Sequence, residues 1–176
     1  VWTCGGRPRT AIGGGSPFKI TGGTFNAGNF QHDINETWSQ TGGGFIAAGS
    51  TIQFAGSSAQ TITALAGNPF KHLIIFGTSV TALSALDIDG QFTLGGGTFT
   101  PGNFNHTVGG DWRETGGTFQ ATVGTITFDG SGTQNVTQIV GNNFYNLVMN
   151  KSGGNPFPLA ATSNLDVNGN LHLASG

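Results

Sequence analysis

The chain repeats itself internally. Residues 22–38, GGTFNAGNFQHDINETW, and residues 96–112, GGTFTPGNFNHTVGGDW, share two Phe, one His and one Trp at a constant offset of 74 residues. With that offset, 25 of the 55 positions compared between residues 22–76 and 96–150 are identical. Internal similarity at a fixed period indicates one structural unit that stacks on itself.

The match continues after a break of five residues. Segment 86-LDIDGQFTL-94 corresponds to 165-LDVNGNLHL-173, and the five extra residues lie in or near 151-KSGGNPFPLA-160. The glycine and proline content of that segment is typical of a surface loop. The chain thus has three segments, which we expect to form one continuous domain: an N-terminal arm, 1–20, and two repeats, 21–94 and 95–176.

Short alternating runs of apolar residues predict β-strands rather than helices. Each run is four to six residues long, most are followed within three residues by Gly or Asn, and they recur roughly every 20 residues. The 32 glycines also disfavour long helices, because a glycine in a helix interior costs about 1 kcal/mol relative to alanine. The alternating pairs are Ile52 and Phe54, Leu73 and Ile75, Leu86 and Ile88, Ile126 and Phe128, Leu147 and Met149, and Leu165 and Val167.

Two all-β architectures fit this spacing: an antiparallel sandwich or barrel, and a parallel β-solenoid. Dipeptides typical of hairpin turns are scarce, the clearest being 89-DG-90 and 168-NG-169. A sandwich gives no reason for equivalent aromatic residues to recur, whereas equivalent residues of stacked coils form ladders. The sequence therefore predicts a parallel β-solenoid (β-helix) with about four coils in each repeat. The expected interior aromatics are Phe25, Phe99, Phe30, Phe104, Phe45, Phe119, Phe54 and Phe128.

The composition argues against several classes of partner. Only 8% of residues are charged, the net charge is −2 and the pI is about 6.0, which disfavours binding to nucleic acid or to an anionic membrane surface. No apolar run reaches the roughly 18 residues of a membrane-spanning helix, so we expect no membrane insertion. Cys4 is the only cysteine; it is either an incidental thiol or a covalent or metal-assisted link to a neighbouring copy.

Candidate metal ligands are few and far apart. His32 and His106 are equivalent in the two repeats, but about four coils would separate them by roughly 19 Å, and a shared zinc ion needs bonds of about 2 Å. Segment 87-DIDG-90 is similar to acidic calcium-binding loops, but its equivalent 166-DVNG-169 has lost one carboxylate. A strand that ends in a turn explains both segments, and we expect no metal and no cofactor.

Catalytic carboxylates are not evident either. The acids nearest the two Trp are Asp33, Glu36, Asp111 and Glu114, and the first two are replaced by Thr and Gly in the second repeat. The six Lys and Arg residues leave little for the cleft of a polysaccharide lyase or hydrolase. We expect a protein that is not an enzyme.

Threonine-rich triplets suggest ice binding, which uses flat, threonine-bearing faces of solenoids. Such a face needs Thr at the same place in every coil. Thr51, Thr61 and Thr63 do not recur at a single regular spacing along the chain. The sequence alone therefore does not predict an ice-binding face.

The segments 144-FYNLVMNKSGG-154 and 165-LDVNGNLHLASG-176 resemble repeats of large bacterial surface and secreted β-solenoids, broadly the filamentous-haemagglutinin-like adhesins. The resemblance covers roughly residues 20–176. It implies an exported, non-catalytic, fibrous or adhesive protein, which we expect to be secreted or at the bacterial cell surface. Segment 1-VWTCGGRPRT-10 has no apolar stretch of the length found in a signal peptide, so we expect the signal peptide of the exported protein to have been removed already.

The open ends of a solenoid suggest a function in assembly. The ends of a solenoid expose unpaired backbone groups and must be capped or stacked, and neither terminus shows an amphipathic capping helix. Segment 171-LHLASG-176 matches 92-FTLGGG-97, after which a further repeat would begin. We expect copies to stack head to tail into an extracellular fibre, through a contact that does not close into a ring. The expected subunit contacts are Trp2, Cys4, Arg7, Arg9, Leu171 and Leu173.

Two alternatives remain open at this point. The arm either joins neighbouring subunits or is a disordered leader. The whole chain is either a self-assembling fibre subunit or a monomeric stalk or ligand-binding segment of a larger adhesin. Such a segment would recognise surface glycans or other cells through exposed Trp38, Trp112 and Asn-rich loops.

Overall fold

The computed structural model describes residues 2–3, 9–12, 15–150, 159–161 and 164–174, with side-chain environments for 15–150 and 164–174. Over these residues the protein is all-β, and no helix among them is long and apolar enough to cross a membrane. The strands of the described part are β1 (Trp2–Thr3), β2 (Arg9–Ile12), β3 (Phe18–Ile20), β4 (Thr24–Asn26), β5 (Gln31–Ile34), β6 (Trp38–Gln40), β7 (Gly44–Ile46), β8 (Thr51–Phe54), β9 (Ala59–Thr63), β10 (His72–Ile75), β11 (Ser79–Ala82), β12 (Asp87–Ile88), β13 (Phe92–Leu94), β14 (Thr98–Thr100), β15 (Asn105–Val108), β16 (Trp112–Glu114), β17 (Thr118–Phe119), β18 (Thr125–Phe128), β19 (Gln134–Thr137), β20 (Asn146–Asn150), β21 (Leu159–Ala161) and β22 (Leu171–Ala174).

All pairings between the described strands are parallel. Partners lie about 20 residues apart, as Gln31 and Thr51 do in one sheet and Asn105 and Thr125 in another. A chain in which each strand pairs with the strand one winding later is a β-solenoid, here of about seven turns. The predicted fold class is confirmed.

The strands form three faces of the coil. One face is an eight-stranded sheet, the long sheet, in the order β2-β5-β8-β10-β13-β16-β19-β21, and the second is a six-stranded sheet, β3-β6-β9-β11-β14-β17. The third begins as a three-stranded sheet, β1-β4-β7, and continues as a five-stranded sheet, β12-β15-β18-β20-β22. Asn68 and Phe70 lie between the last two sheets: Asn68 Oδ1 accepts the Phe45 backbone N–H at 2.6 Å, and Phe70 forms a parallel bridge with Ile88.

The interior contains two aromatic clusters that the repeat duplicates. In each, three Phe rings surround one buried Trp, with ring centroids 4.7–5.3 Å from Trp38 and 4.2–5.1 Å from Trp112. These distances are close to the range of favourable aromatic pairs. The clusters are Trp38 with Phe18, Phe45 and Phe70, and Trp112 with Phe92, Phe119 and Phe144.

The repeat does not contain a whole number of coils. From His32, the ladder in the long sheet passes through Ile52 and Leu73 to Phe92, which is three coils along. His106, the equivalent of His32, lies two faces further along the chain, in the five-stranded sheet. Equivalent residues of the two repeats therefore lie on different faces, and the vertical ladders join neighbouring coils instead of repeats. Trp38 accordingly lies in the six-stranded sheet and Trp112 in the long sheet.

The expected interior aromatics occupy three kinds of place. Phe45, Phe54, Phe99, Phe119 and Phe128 are buried in the core, and Phe25 is half-buried against it. Phe30 and Phe104 lie outside the interior. Both are half-buried at corners of the coil, where their rings cover Gly28 and Gly102, two glycines with positive φ. A corner glycine leaves room for a ring directly over the backbone, which explains why Gly and Phe recur together.

Candidate interaction surfaces and buried polar groups

The two equivalent histidines hold corners of the coil. His32 Nε2 bonds the carbonyl oxygen of Ala27 at 2.9 Å, and His106 Nε2 bonds that of Pro101 at 2.8 Å. His106 Nδ1 also accepts the backbone N–H of Leu86 at 3.1 Å, so Nε2 of the neutral ring carries the proton and donates it. Burial lowers the pKa of His106, and the hydrogen bond to Pro101 only partly opposes that effect. Within the described part of the chain, no group of three or more His, Cys, Asp and Glu could hold a metal ion.

Two buried glutamines, equivalent in the repeats, hold other corners, and the sequence patterns considered above do not reveal them. Gln60 donates through Nε2 to the carbonyl oxygens of Ile34 and Glu36, and its Oε1 accepts the backbone N–H of Gly56. Gln134 makes the same three bonds one repeat later, from Nε2 to the carbonyl oxygens of Val108 and Gly110 and from the N–H of Gly130 to Oε1. Identity of a polar residue at equivalent strand positions of both repeats is the signal that could have found them.

Glu114 is a buried carboxylate that receives hydrogen bonds from three nitrogen donors. Its Oε1 accepts from Trp112 Nε1 at 2.9 Å. Its Oε2 accepts from the backbone N–H of Ile139 and from Asn142 Nδ2, both at 2.8 Å. Hydrogen bonds of this kind compensate a buried charge. The first repeat has Gln40 at this position, and its side-chain amide is buried without a hydrogen-bond partner, as is Nε1 of Trp38.

Three of the four candidate acids lie in different local surroundings. Glu114 points into the interior, whereas Asp33 lies on the outer surface of the long sheet, where it accepts a hydrogen bond from Gln31 Nε2 at 2.9 Å. Asp111 accepts the backbone N–H of Asn135 at 2.7 Å. Each of these three carboxylates is thus engaged in a different local contact.

The segment with the calcium-loop pattern is a strand followed by a turn. Asp87 lies in β12, and its Oδ1 accepts a hydrogen bond from Thr107 Oγ1 of the next coil at 2.6 Å. Gly90 lies against the Lys71 carbonyl, where a Cβ atom would clash with the backbone. Packing of successive coils thus accounts for the pattern.

The two tryptophans are not available to a ligand. Trp38 is 0% exposed and Trp112 is 1% exposed, because both are at the centre of the aromatic clusters. The expectation that an adhesive segment would bind through these side chains is wrong. Their neighbouring Gly and Thr residues suggest a surface loop, but the alternation of β6 and β16 turns both rings inward.

Two leucines of β22 are exposed although they are in register with core residues of β20. In β22, Leu171 pairs with Leu147 and Leu173 with Met149, so both leucines continue inward-facing columns of the five-stranded sheet. Leu147 is buried, yet Leu171 is 54% and Leu173 61% exposed. Among the other expected subunit contacts, Trp2 and Arg9 lie in β1 and β2, whose side chains are not described, and Cys4 and Arg7 lie outside the described residues.

Comparisons with protein-family models, with curated proteins and with solved structures found no match. What the protein does is therefore inferred from its own geometry. That geometry is a three-faced solenoid, held together by stacked corners and aromatic clusters, with inward-register leucines exposed at the last described strand.

Proposed function

We propose that the protein is a structural subunit of an extracellular fibre or surface appendage, and that copies stack head to tail through the ends of the solenoid. The exposed leucines of β22 carry this proposal. They occupy core positions by register, but no described strand covers them. A strand of a second copy, added in parallel, would cover them and pair with the backbone of β22 at the same time.

Burial of these leucines supplies a driving force for the contact. Full burial of one Leu side chain contributes roughly 1.5–3 kcal/mol, and each already has part of its surface covered. A contact between the C-terminal end of one solenoid and the N-terminal end of the next is heterologous. Because each copy is added along the solenoid axis, we expect the contact not to close into a ring and to give an open fibre. Low charge supports the same assembly, because stacked copies place identical charges in line along the axis, and only 8% of residues are charged.

The second candidate is a monomeric stalk or ligand-binding segment of a larger adhesin. The resemblance to filamentous-haemagglutinin-like repeats favours it, since in such proteins further coils of the same chain cover each end. In both candidates the protein is a rigid, non-catalytic spacer or fibre. In the first, a second copy covers the exposed leucines; in the other, further coils of the same chain cover them.

Assembly of the purified chain distinguishes the two candidates. We expect sedimentation velocity and negative-stain microscopy to show concentration-dependent fibres. The double variant Leu171→Lys/Leu173→Lys should remain monomeric, because two charges would have to be buried at the joint. Val140→Lys is the matched control, since Val140 is 98% exposed and lies in a loop before β20. Monomeric rods of the unmodified chain at all concentrations would refute the fibre and favour the stalk.

A further inference from the structure

The outer surface of the six-stranded sheet carries two columns of hydroxyl side chains, the hydroxyl columns. Strand pairing aligns Thr61 with Thr81 and Thr100, and Thr37 extends this column through a hydrogen bond from Thr61 Oγ1 to Thr37 Oγ1 at 3.2 Å. The second column, in register with the first, consists of Ser79, Thr98 and Thr118.

This regularity exists only in the folded chain. Paired residues of the first column are separated by 24, 20 and 19 residues, because the corners of successive coils differ in length. Strand pairing nevertheless places each threonine at the same position along its strand and on the same side of the sheet. The side chains then repeat about every 4.8 Å across the strands and about every 6.7 Å along a strand.

The hydroxyl columns rest on a rigid base. Between the outward residues, Val80, Phe99 and Phe119 point inward and are buried in the core. A threonine in a strand has few rotamers, because it is branched at Cβ. The hydroxyl and methyl groups of this surface are therefore held in a nearly fixed two-dimensional array.

The chemistry of this surface differs from that of the two other large sheets. From β6 to β17, the outward positions of the six-stranded sheet carry no charged and no aromatic side chain. The long sheet instead exposes Asp33, His72 and Arg113, and the five-stranded sheet exposes Asp87 and His172. Lys19 is the outward residue of β3, at one edge of the six-stranded sheet. From β6 to β17, this sheet combines a regular array of hydroxyl groups with the lack of charge.

The dimensions of the hydroxyl columns point away from a protein partner. Four strand spacings and about three residues of strand length give an area on the order of 200 Å². A stable protein interface buries about 800 Å² on each partner. The outward side chains of a sheet form an open surface, whereas small ligands are usually held in concave pockets. A regular, shallow array suits a ligand that is itself regular and flat.

We propose that the hydroxyl columns bind ice. The oxygen atoms of an ice crystal face form a planar lattice whose spacings are similar to those between the hydroxyl groups. Each hydroxyl can replace a lattice water as donor and acceptor, and each methyl group restricts the water beside it. This activity does not depend on the fibre and would be present in a single copy.

Ice recrystallisation inhibition and thermal hysteresis of the purified chain test this proposal. The unmodified chain should be active in both assays. Thr81→Tyr, which places a large side chain in the middle of the array, should abolish the activity. Ala59→Thr should increase it, because Ala59 pairs with Ser79 and occupies the position of the second column that lacks a hydroxyl.

Thr127→Tyr on the five-stranded sheet is the matched control, because Thr127 also points outward from a central strand. It should retain full activity, and circular dichroism should show that all variants are folded. An inactive unmodified chain would overturn the proposal. So would a folded Thr81→Tyr variant that is as active as the Thr127→Tyr control.

Discussion

Corner glycines show most directly how single residues constrain the coil. Gly117 has φ +78°, and a Cβ atom there would lie 2.6 Å from the carbonyl oxygen of Gly97 in the preceding coil. Its equivalent in the first repeat, Gly43, has φ +69° and the same short approach to the carbonyl oxygen of Gly23. Two requirements coincide at these positions: a left-handed backbone and the close passage of another chain segment.

We expect Gly117→Ala to lower the free energy of unfolding by roughly 1–3 kcal/mol, from backbone strain together with the displacement of a neighbouring backbone. Urea unfolding at neutral pH measures the change. Gly22→Ala is the control, because Gly22 has no positive φ and a Cβ atom added there would meet nothing within 4 Å. Equal losses in the two variants would contradict the steric explanation.

His106 makes stability depend on pH. Its pKa is lowered in the folded protein, chiefly by burial, so below about pH 6.5 the unfolded chain binds more protons than the folded one. The stabilising contribution of the neutral ring is complete above that pH and is lost as the pH falls. We expect the urea concentration at the midpoint of unfolding to decrease as the pH is lowered from about 7.5 to about 5. His106→Gln should reduce this decrease, whereas a variant of the exposed His172 should retain it.

At the scale of elements, strands alone do not hold the coil together. Several strands are only two or three residues long, and short strands need further support from their corners. The glutamines Gln60 and Gln134 supply it by satisfying three backbone groups at each corner. Each spans from its own coil to the preceding one.

Gln134→Leu should destabilise the protein by several kcal/mol. The substitution keeps the volume but removes the Gln134 hydrogen bonds of the Gly130 N–H and the Gly110 carbonyl, at about 1–3 kcal/mol for each group that remains buried. The Val108 carbonyl also loses its bond to Gln134 but still accepts a backbone N–H. Gln120→Leu, at an exposed position beyond β17, should change stability little. Thermal unfolding monitored by circular dichroism compares the two, and a similar effect of both would argue against the role of the corner.

For the whole molecule, the number of coils sets the length that each copy would add to the proposed fibre. One repeat advances three coils and two faces, so features of the first repeat reappear on a different face in the second. The eight strands of the long sheet, together with one further strand spacing to the next copy, give roughly 38 Å along the axis at about 4.8 Å per strand. In the assembly experiment, fibres should therefore show an axial subunit step near that length.

The repeat and the two-residue alternation were enough to predict parallel coils of about 20 residues. Both patterns are short-range, and in a solenoid each strand pairs with the strand one coil later. Short-range patterns are therefore enough to predict which strands pair. The burial of Phe54 and Phe128 follows directly from alternation. The placement of Trp38 and Trp112 did not follow, because the neighbouring glycines and threonines suggest a loop until the strand register is known.

The periodic sequence was enough to specify a stack of β-coils, since a period along the chain becomes a period in space wherever each unit buries its apolar side against the next. The face that each residue occupies followed only from the pairing of the strands in three dimensions. The corners differ in length by a few residues, so the spacing along the sequence does not give the position of a residue within its coil. Strand pairing sets that position. The second repeat lies on different faces because one repeat spans three coils and two faces. The pairing of the coils also brings three nitrogen donors to Glu114 and aligns the threonines.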